Sequence, residues 1–214
     1  MFITFEAGEG AGKSTQARRL AETLRGMSIP AVLTREPGGS SVAEDLRNLV
    51  VQGDPGRMDA ETELLIFTAA RRDHIKTVIQ PALDAGKIVI CDRYIGSTIA
   101  LQGSAGVALD SIETLHSLFC NNLMPDLTLY LETDDQKAML RALERVSADG
   151  SGESRFERKG ADFHTLVNQS FLDQARSLPF WHRVDGDGDI ETVAERVLEA
   201  VLQHPTFTRI KKTG

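Results

Sequence analysis

Cysteine is scarce: Cys91 and Cys120 are the only two in 214 residues, and they form neither a disulfide framework nor a metal-ligand spacing. A reducing, intracellular setting is therefore expected. No apolar run reaches the ~18 residues of a membrane-spanning helix. Met1 leads directly into Phe2, Ile3 and Phe5 rather than into a basic stretch and an apolar one, so no secretory signal is read and the expected location is cytoplasmic. An excess of positive charge is also lacking. With 24 basic and 31 acidic residues the formal charge is -7, which argues against a nucleic-acid backbone as partner but leaves room for a local basic nest around a nucleotide. There is no internal repeat, and 41% hydrophobic with 26% charged residues gives no pull toward disorder. One domain over 1–205 is expected, with a mobile insert at about 146–160 and a frayed tail at 206–214.

Present instead are five short apolar runs rich in β-branched residues: Phe2 to Phe5, Ala31 to Thr34, Ile88 to Cys91, Leu127 to Leu131 and Trp181 to Val184. Longer segments of helical periodicity separate them, and continuous apolar strands joined by crossover helices predict a parallel sheet covered on both faces. Helices are predicted from Lys13 to about Gly26, Ser40 to about Val51, Leu109 to Cys120 and Glu191 to Leu202. A long stretch from Asp59 to Leu83 carries Leu64, Leu65, Ile75, Val78 and Ile79 toward the sheet, with Pro81 bending its end. Gly103 to Gly106 reads as a flexible connection.

The segment Ala7-Gly8-Glu9-Gly10-Ala11-Gly12-Lys13-Ser14 lies between the first strand and the first helix. In that position backbone N–H groups curve around phosphates while the helix N-terminus faces them. Gly10 and Gly12 permit the tight path, Lys13 reaches the transferred phosphate, and Ser14 can bind Mg²⁺. The strict pattern starts with glycine, and Ala7 is the smallest departure from it. Asp92, at the end of the third apolar run, reads as a carboxylate serving the metal directly or through water, or else as a strand-end cap. Cys91 beside it reads as a small buried hydrophobe.

Three further clusters point to a small-molecule kinase. Arg35, in Thr34-Arg35-Glu36-Pro37-Gly38-Gly39, stands at the strand ends where parallel folds bind ligands and can clamp a phosphate. Phe67, Arg71 and His74 fall at i, i+4 and i+7 on one helix face, where an aromatic platform and a guanidinium suit a base that is stacked and bonded at its edge. A core role for Phe67 and a solvated one for Arg71 is the competing reading, and His74 receives no catalytic role. Arg93 follows Asp92 and is placed to bridge donor and acceptor phosphates. The segment Val146 to Gly160, flanked or held by Arg141, Arg145, Arg155 and Arg158, reads as a basic lid that excludes water over the phosphates, or as a solvated charged loop.

These residues together resemble bacterial thymidylate kinases: Phe5 through Thr15, Thr34 to Gly39, Leu64 to Arg71, Asp92-Arg93-Tyr94, Ser97, and Pro125 to Leu131 stand in that family's order and spacing across about residues 1 to 200. The resemblance implies an α/β P-loop NTPase fold with a five-stranded parallel sheet of order 2-3-1-4-5. It implies ATP-dependent phosphorylation of dTMP to dTDP with Mg²⁺, in a homodimer; the charge balance and the lack of a long apolar run add the expectation of no nucleic-acid or membrane partner. ATP is expected on Gly8, Glu9, Gly10, Ala11, Gly12, Lys13, Ser14 and Thr15, and the metal on Ser14 and Asp92. Glu9 is implied near the sugar 3′-hydroxyl, Arg35 and Arg93 on the acceptor phosphate, Phe67 against thymine, Arg71 at O4, and Ser97 and Gln102 on the base side, Gln102 meeting N3. The catalytic set is Lys13, Arg93 and a lid arginine, with Arg155 preferred because Ser154-Arg155-Phe156-Glu157 stands where the family has Asp-Arg-x-Glu. Departures are Ala7, Leu101 where many relatives have tyrosine, Ser154, Asn168 and Phe171. Three alternatives stay open: a nucleoside monophosphate kinase of broader specificity, which Leu101 permits, a regulatory P-loop NTPase, and a weakened nucleotide-binding protein, which Ala7, Ser154 and Asn168 suggest.

Overall fold

The computed structural model describes residues 1–134, 137–141, 144, 155–156 and 159–213, with backbone alone from 210. Five strands, β1 (Phe2–Glu6), β2 (Ala31–Arg35), β3 (Ile88–Asp92), β4 (Leu127–Glu132) and β5 (Trp181–Asp185), form one parallel sheet of order β2-β3-β1-β4-β5. The helices are α1 (Lys13–Gly26), α2 (Ser41–Val51), α3 (Ala60–His74), α4 (Gln80–Asp84), α5 (Ile95–Ser104), α6 (Leu109–Cys120), α7 (Ala161–Ser177), α8 (Ile190–Gln203) and α9 (Pro205–Thr213).

The period-2 alternation of a strand divides each apolar run between two cores. Ile3, Phe5, Ile88 and Ile90 pack with Leu20 and Leu24 of α1, Phe171 of α7 and Val197 of α8. Phe2, Val89 and Cys91 point the other way, onto Leu64 of α3, Ile95 of α5 and Ile112 of α6. Both faces are thus covered by helices, and the central strands are buried almost throughout because neither face meets water. The chain passes from β1 to β2 and β3 on one side and to β4 and β5 on the other, so β1 ends at the topological switch point.

Caps set several helix starts. Ser40 accepts the N–H of Ala43 at 3.3 Å, Asp59 that of Thr62 at 2.6 Å, and Asp189 that of Thr192 at 2.7 Å. By contrast, α1 starts from Gly12 without a side-chain cap, so its first-turn N–H groups face outward with no acceptor side chain of their own.

Four expectations need correction. The stretch from Asp59 is not one regular helix: a π-helical turn, Ile75–Ile79, separates α3 from α4, with the Gln80 N–H reaching Ile75 O. Pro81 explains it, since it offers no N–H to Thr77 and its ring crowds that carbonyl. Leu65 does not face the sheet; it is 58% exposed, because Leu64, one residue earlier, takes the inward position. The tail is not frayed over 206–213: α9 continues the chain and Phe207 enters the core at 2% exposure. Gly103, expected in a flexible connection, closes the helix α5 instead, which ends at Ser104. The expected lid falls mostly outside the described residues.

Candidate active site

The β1–α1 loop carries out the expected turn. Gly10 (φ 71°) and Gly12 (φ 90°) take the left-handed region, whereas Ala7 has no positive φ and is fully buried against the core. Alanine therefore costs no backbone strain at that first position, and its methyl adds to the packing. Gly8 needs the absence of a side chain for another reason: a Cβ there would stand 2.6 Å from Asn168 Oδ1. Asn168, noted only as a departure, is the residue behind the loop, and Phe171 is a core residue stacked on Tyr130.

Glu9 through Gln16 line one side of a cleft of about 670 Å³. Lys13 Nζ donates to Ala7 O (3.1 Å) and Gly8 O (2.6 Å), and burial together with the nearby Arg93 charge lowers its pKa to about 8. An ammonium held in this way, in a loop lined with backbone N–H groups, forms a pre-organised site for anionic oxygens. Ser14 Oγ donates to Asp92 Oδ2, while Asp92 Oδ1, though buried, accepts no bond from a described residue. A hydroxyl beside a carboxylate with one oxygen unengaged is an all-oxygen donor pair that fits Mg²⁺.

Across the sheet end stands Arg93. Its backbone has φ 70°, an uncommon conformation for a residue with a side chain, and its N–H bonds Phe5 O at 3.0 Å. The guanidinium donates to Glu9 (2.7 Å), to Ser97 Oγ (2.9 Å) and to Ala7 O (3.2 Å). Ser97, expected on the base side, is instead drawn into this phosphate-side network, since its hydroxyl donates to Glu6 at 2.5 Å. Glu6 was not singled out in the sequence, although it ends β1 and is 1% exposed. It also accepts the Tyr94 N–H at 2.9 Å, and burial raises its pKa to about 7 against the pull of Ser97 and Arg93. Its signal was a charged residue ending an otherwise buried strand.

The far side of the cleft is built by α3 and α5. Phe67 lines it together with Val51 and Phe156 and also packs in the cluster that holds Val50, so it has both a core role and a place on the cleft. Arg71 is buried, lies 4.9 Å from the Tyr94 ring centroid, and donates to Glu36 (2.7 Å) and to Thr98 (2.9 Å). Thr98 was likewise missed. Glu36 also accepts from His74 at 3.0 Å; burial opposes its ionisation, but Arg71 and His74 outweigh that and hold its pKa below the usual range. His74 is therefore a structural tie between α3 and the Glu36 turn, with its other nitrogen on Thr34 at 2.6 Å. Arg35 lines the cleft, paired with Glu44 at 3.0 Å, and Leu101 and Gln102 of α5 complete the wall.

Arg155 is not brought to the phosphate loop. Its fully buried guanidinium donates to Asp54 O, Val50 O, Pro55 O and Met58 O, and pairs with Glu63 at 2.6 Å. The carbonyls exposed where α2 ends and the chain turns toward α3 require donors, and a guanidinium supplies five. Arg141 does line the cleft, whereas Arg145 and Arg158 lie outside the described residues.

A phosphate loop at the switch point, a hydroxyl–carboxylate pair beside it, and a stacking wall at the other end of one cleft define a P-loop phosphotransferase of the nucleotide-kinase class. Comparisons with known proteins narrow the class. The family model described as thymidylate kinase matches residues 5–197. A thymidylate kinase of Ruegeria pomeroyi is 49% identical over 98% of both chains, and one of Dinoroseobacter shibae is 51% identical over 83% of this chain and 84% of its own. The crystal structure of a thymidylate kinase from Ehrlichia chaffeensis superposes with a TM-score of 0.75 at 34% identity, covering 94% of this chain and 97% of that one. The chain belongs to the thymidylate kinase family.

Proposed function

We infer that this protein transfers the γ-phosphoryl group of ATP to dTMP, giving dTDP and ADP, in the cytoplasm. The observation that carries the reading is the single cleft joining Lys13 and Arg93 to the wall of Phe67, Arg71 and Gln102. One end has the charge to hold two phosphate groups; the other has the flat apolar face and polar edge of a pyrimidine site. The N–H groups of Gly10 to Thr15 and the Lys13 ammonium hold the donor phosphates. Arg93, fixed by Glu9 and Ser97, meets the oxygens that pass between donor and acceptor, and Arg35 holds the acceptor phosphate. Exchange of Glu9 for substrate as a partner of Arg93 leaves Glu9 beside the sugar.

Phe67 stacks on the base, Arg71 donates to its O4, and Gln102 meets N3. Leu101 takes the place facing the sugar, where an apolar wall disfavours an added 2′-hydroxyl by roughly 10²-fold. Ser14 and Asp92 would hold Mg²⁺, which when bound neutralises phosphate charge. For the lid-side guanidinium, Arg141 replaces Arg155 as the assignment, because it borders the cleft. No helix among the described residues is long and apolar enough to cross a membrane. Exposed Leu65 on α3 and Leu118 and Phe119 on the adjoining α6 form the apolar face on which two copies pair into a homodimer.

The test is a coupled ADP-release assay with ATP, Mg²⁺ and a panel of dTMP, dUMP, CMP and UMP, on enzyme whose sedimentation is that of a dimer. dTMP should give the highest kcat/KM. A preference for another monophosphate would establish the broader kinase, and ATP hydrolysis indifferent to every acceptor would establish a regulatory NTPase.

A further inference from the structure

The Gln102 side chain is completely buried, borders the cleft, and has two ends in unlike surroundings. Its Nε2 donates to Glu63 Oε2 at 2.9 Å, whereas its Oε1 is buried and accepts no bond from a described residue. An amide is nearly symmetric in shape, so its orientation is decided by its neighbours rather than by sterics. Here the neighbour decides it. Glu63 is itself 1% exposed, with Arg155 at 2.6 Å and Lys159 at 3.7 Å on its other oxygen. A carboxylate balanced by two cations accepts hydrogen bonds and donates none, so only the NH₂ end of Gln102 can face it. The carbonyl end is thereby turned away from Glu63, in the wall that borders the cleft.

We propose that Glu63 is a specificity-determining positioning residue, which fixes the Gln102 amide so that the site presents an acceptor to the ring nitrogen of the base. The inference rests on the reading that the acceptor base lies against Phe67 and Gln102. A fixed acceptor welcomes a base whose ring nitrogen carries a hydrogen, as the imide of thymine or uracil does. It faces lone pair to lone pair with cytosine, whose corresponding nitrogen is an acceptor. Leaving two buried acceptors opposed forfeits the bond and the solvation of both. If Gln102 were free to turn, its NH₂ would serve cytosine as well as its carbonyl serves thymine. Arg155 enters the same account as an indirect contributor: by pairing with Glu63 it holds in place the carboxylate that orients Gln102, at the base end of the cleft rather than the phosphate end.

Steady-state kinetics with dTMP and dCMP on the wild type, Glu63→Gln and Gln102→Ala test this. A glutamine at 63 keeps the size of the side chain but can donate to Gln102 as well as accept from it, which releases the orientation. The expected result is a fall of about tenfold or more in the dTMP-to-dCMP ratio of kcat/KM, with dTMP kcat within a few-fold of wild type. Arg71, a donor opposite the cytosine amine, should prevent complete loss of preference. An unchanged ratio in Glu63→Gln, while Gln102→Ala raises the dTMP KM, overturns the role of Glu63 and leaves the base site standing. An unchanged dTMP KM in Gln102→Ala overturns the base-site reading itself. Because Glu63→Gln leaves Arg155 opposite a neutral group and can fail to fold, a second measurement uses the wild type. The side-chain amide protons of Gln102, identified by NMR through their loss in Gln102→Ala, should exchange with solvent more slowly than those of exposed glutamines, with and without dTMP. Exchange as fast as an exposed amide would overturn the proposal.

Discussion

On the proposed reading of the cleft as a phosphate end and a base end, the two are made by different means. The phosphate end is assembled from consecutive residues, Glu9 to Gln16, whose recognition groups are mostly main-chain N–H donors held by a strand, two left-handed glycines and a helix start. The base end draws its groups from Glu36, Phe67, Arg71, Thr98 and Gln102, with Glu63 and Arg155 behind them, and every one of those contacts is between side chains distant in sequence. A backbone site is set by local conformation and tolerates changes in side chain, as Ala7 shows. A side-chain site is set by tertiary packing and depends on each partner being satisfied.

The largest effect is expected where the phosphate end relies on a side chain. On the proposed reading Lys13→Ala removes an ammonium that meets the transferred group, and kcat should fall by roughly 10²–10³, while dTMP affinity by titration calorimetry stays within a few-fold. The split matters more than the size. If dTMP affinity fell as far as kcat, Lys13 would belong to both ends and the division would be wrong.

Much of this division could be seen in the linear chain. The strands, the order of strand, loop and helix, and Asp92 after Ile88-Val89-Ile90-Cys91 were readable because each depends on periodicity or on neighbours in sequence. That Phe67 and Arg71 share one helix face bordering the cleft was also readable, because helical spacing is local. Glu6 was not, since a carboxylate at a strand end carries no local sign that Ser97 and Tyr94 will converge on it. Nor was the placement of Arg155. A basic segment rich in glycine and serine suggests a lid over phosphate, but the unsatisfied carbonyls at residues 50 to 58 that hold this guanidinium exist only once α2 has ended against α3. Ser97 shifted sides for the same reason: its hydroxyl follows Glu6 and Arg93 rather than its position on α5.

Glu6 gives the second prediction, and it separates the charge network of the phosphate end from its backbone cradle. Folding raises its pKa from 4.5 to about 7, chiefly through burial. A carboxyl whose pKa rises on folding stabilises the native state fully below its unfolded pKa, and that contribution is lost as pH climbs through the folded one. The loss is on the order of 3 kcal/mol, and it falls between about pH 4.5 and pH 7. Glu6→Gln has no proton to lose there. Its stability relative to wild type, by urea unfolding, should therefore improve by up to that amount between pH 4.5 and pH 8. A pH-independent difference would mean that Arg93 and Ser97 compensate the buried charge fully.

The smallest of the three effects is expected at the base end, and it is the one that most sharply divides the two regions. Phe67 borders the cleft and packs in the cluster with Val50, Val51 and Phe156. Removing the ring in Phe67→Ala removes a stacking surface worth ~1–3 kcal/mol per base, so the dTMP KM should rise by about tenfold. Stacking on the base is the same before and during phosphoryl transfer, so it is uniform binding and kcat should hold within a few-fold. The cavity left on the Val50 side also lowers stability by about 3 kcal/mol, which thermal unfolding without ligand measures separately. A loss of stability with an unchanged KM would make Phe67 a core residue alone. A fall in kcat equal to the rise in KM would show that the base platform positions the acceptor phosphate against Arg93, and the two ends would then act as one site.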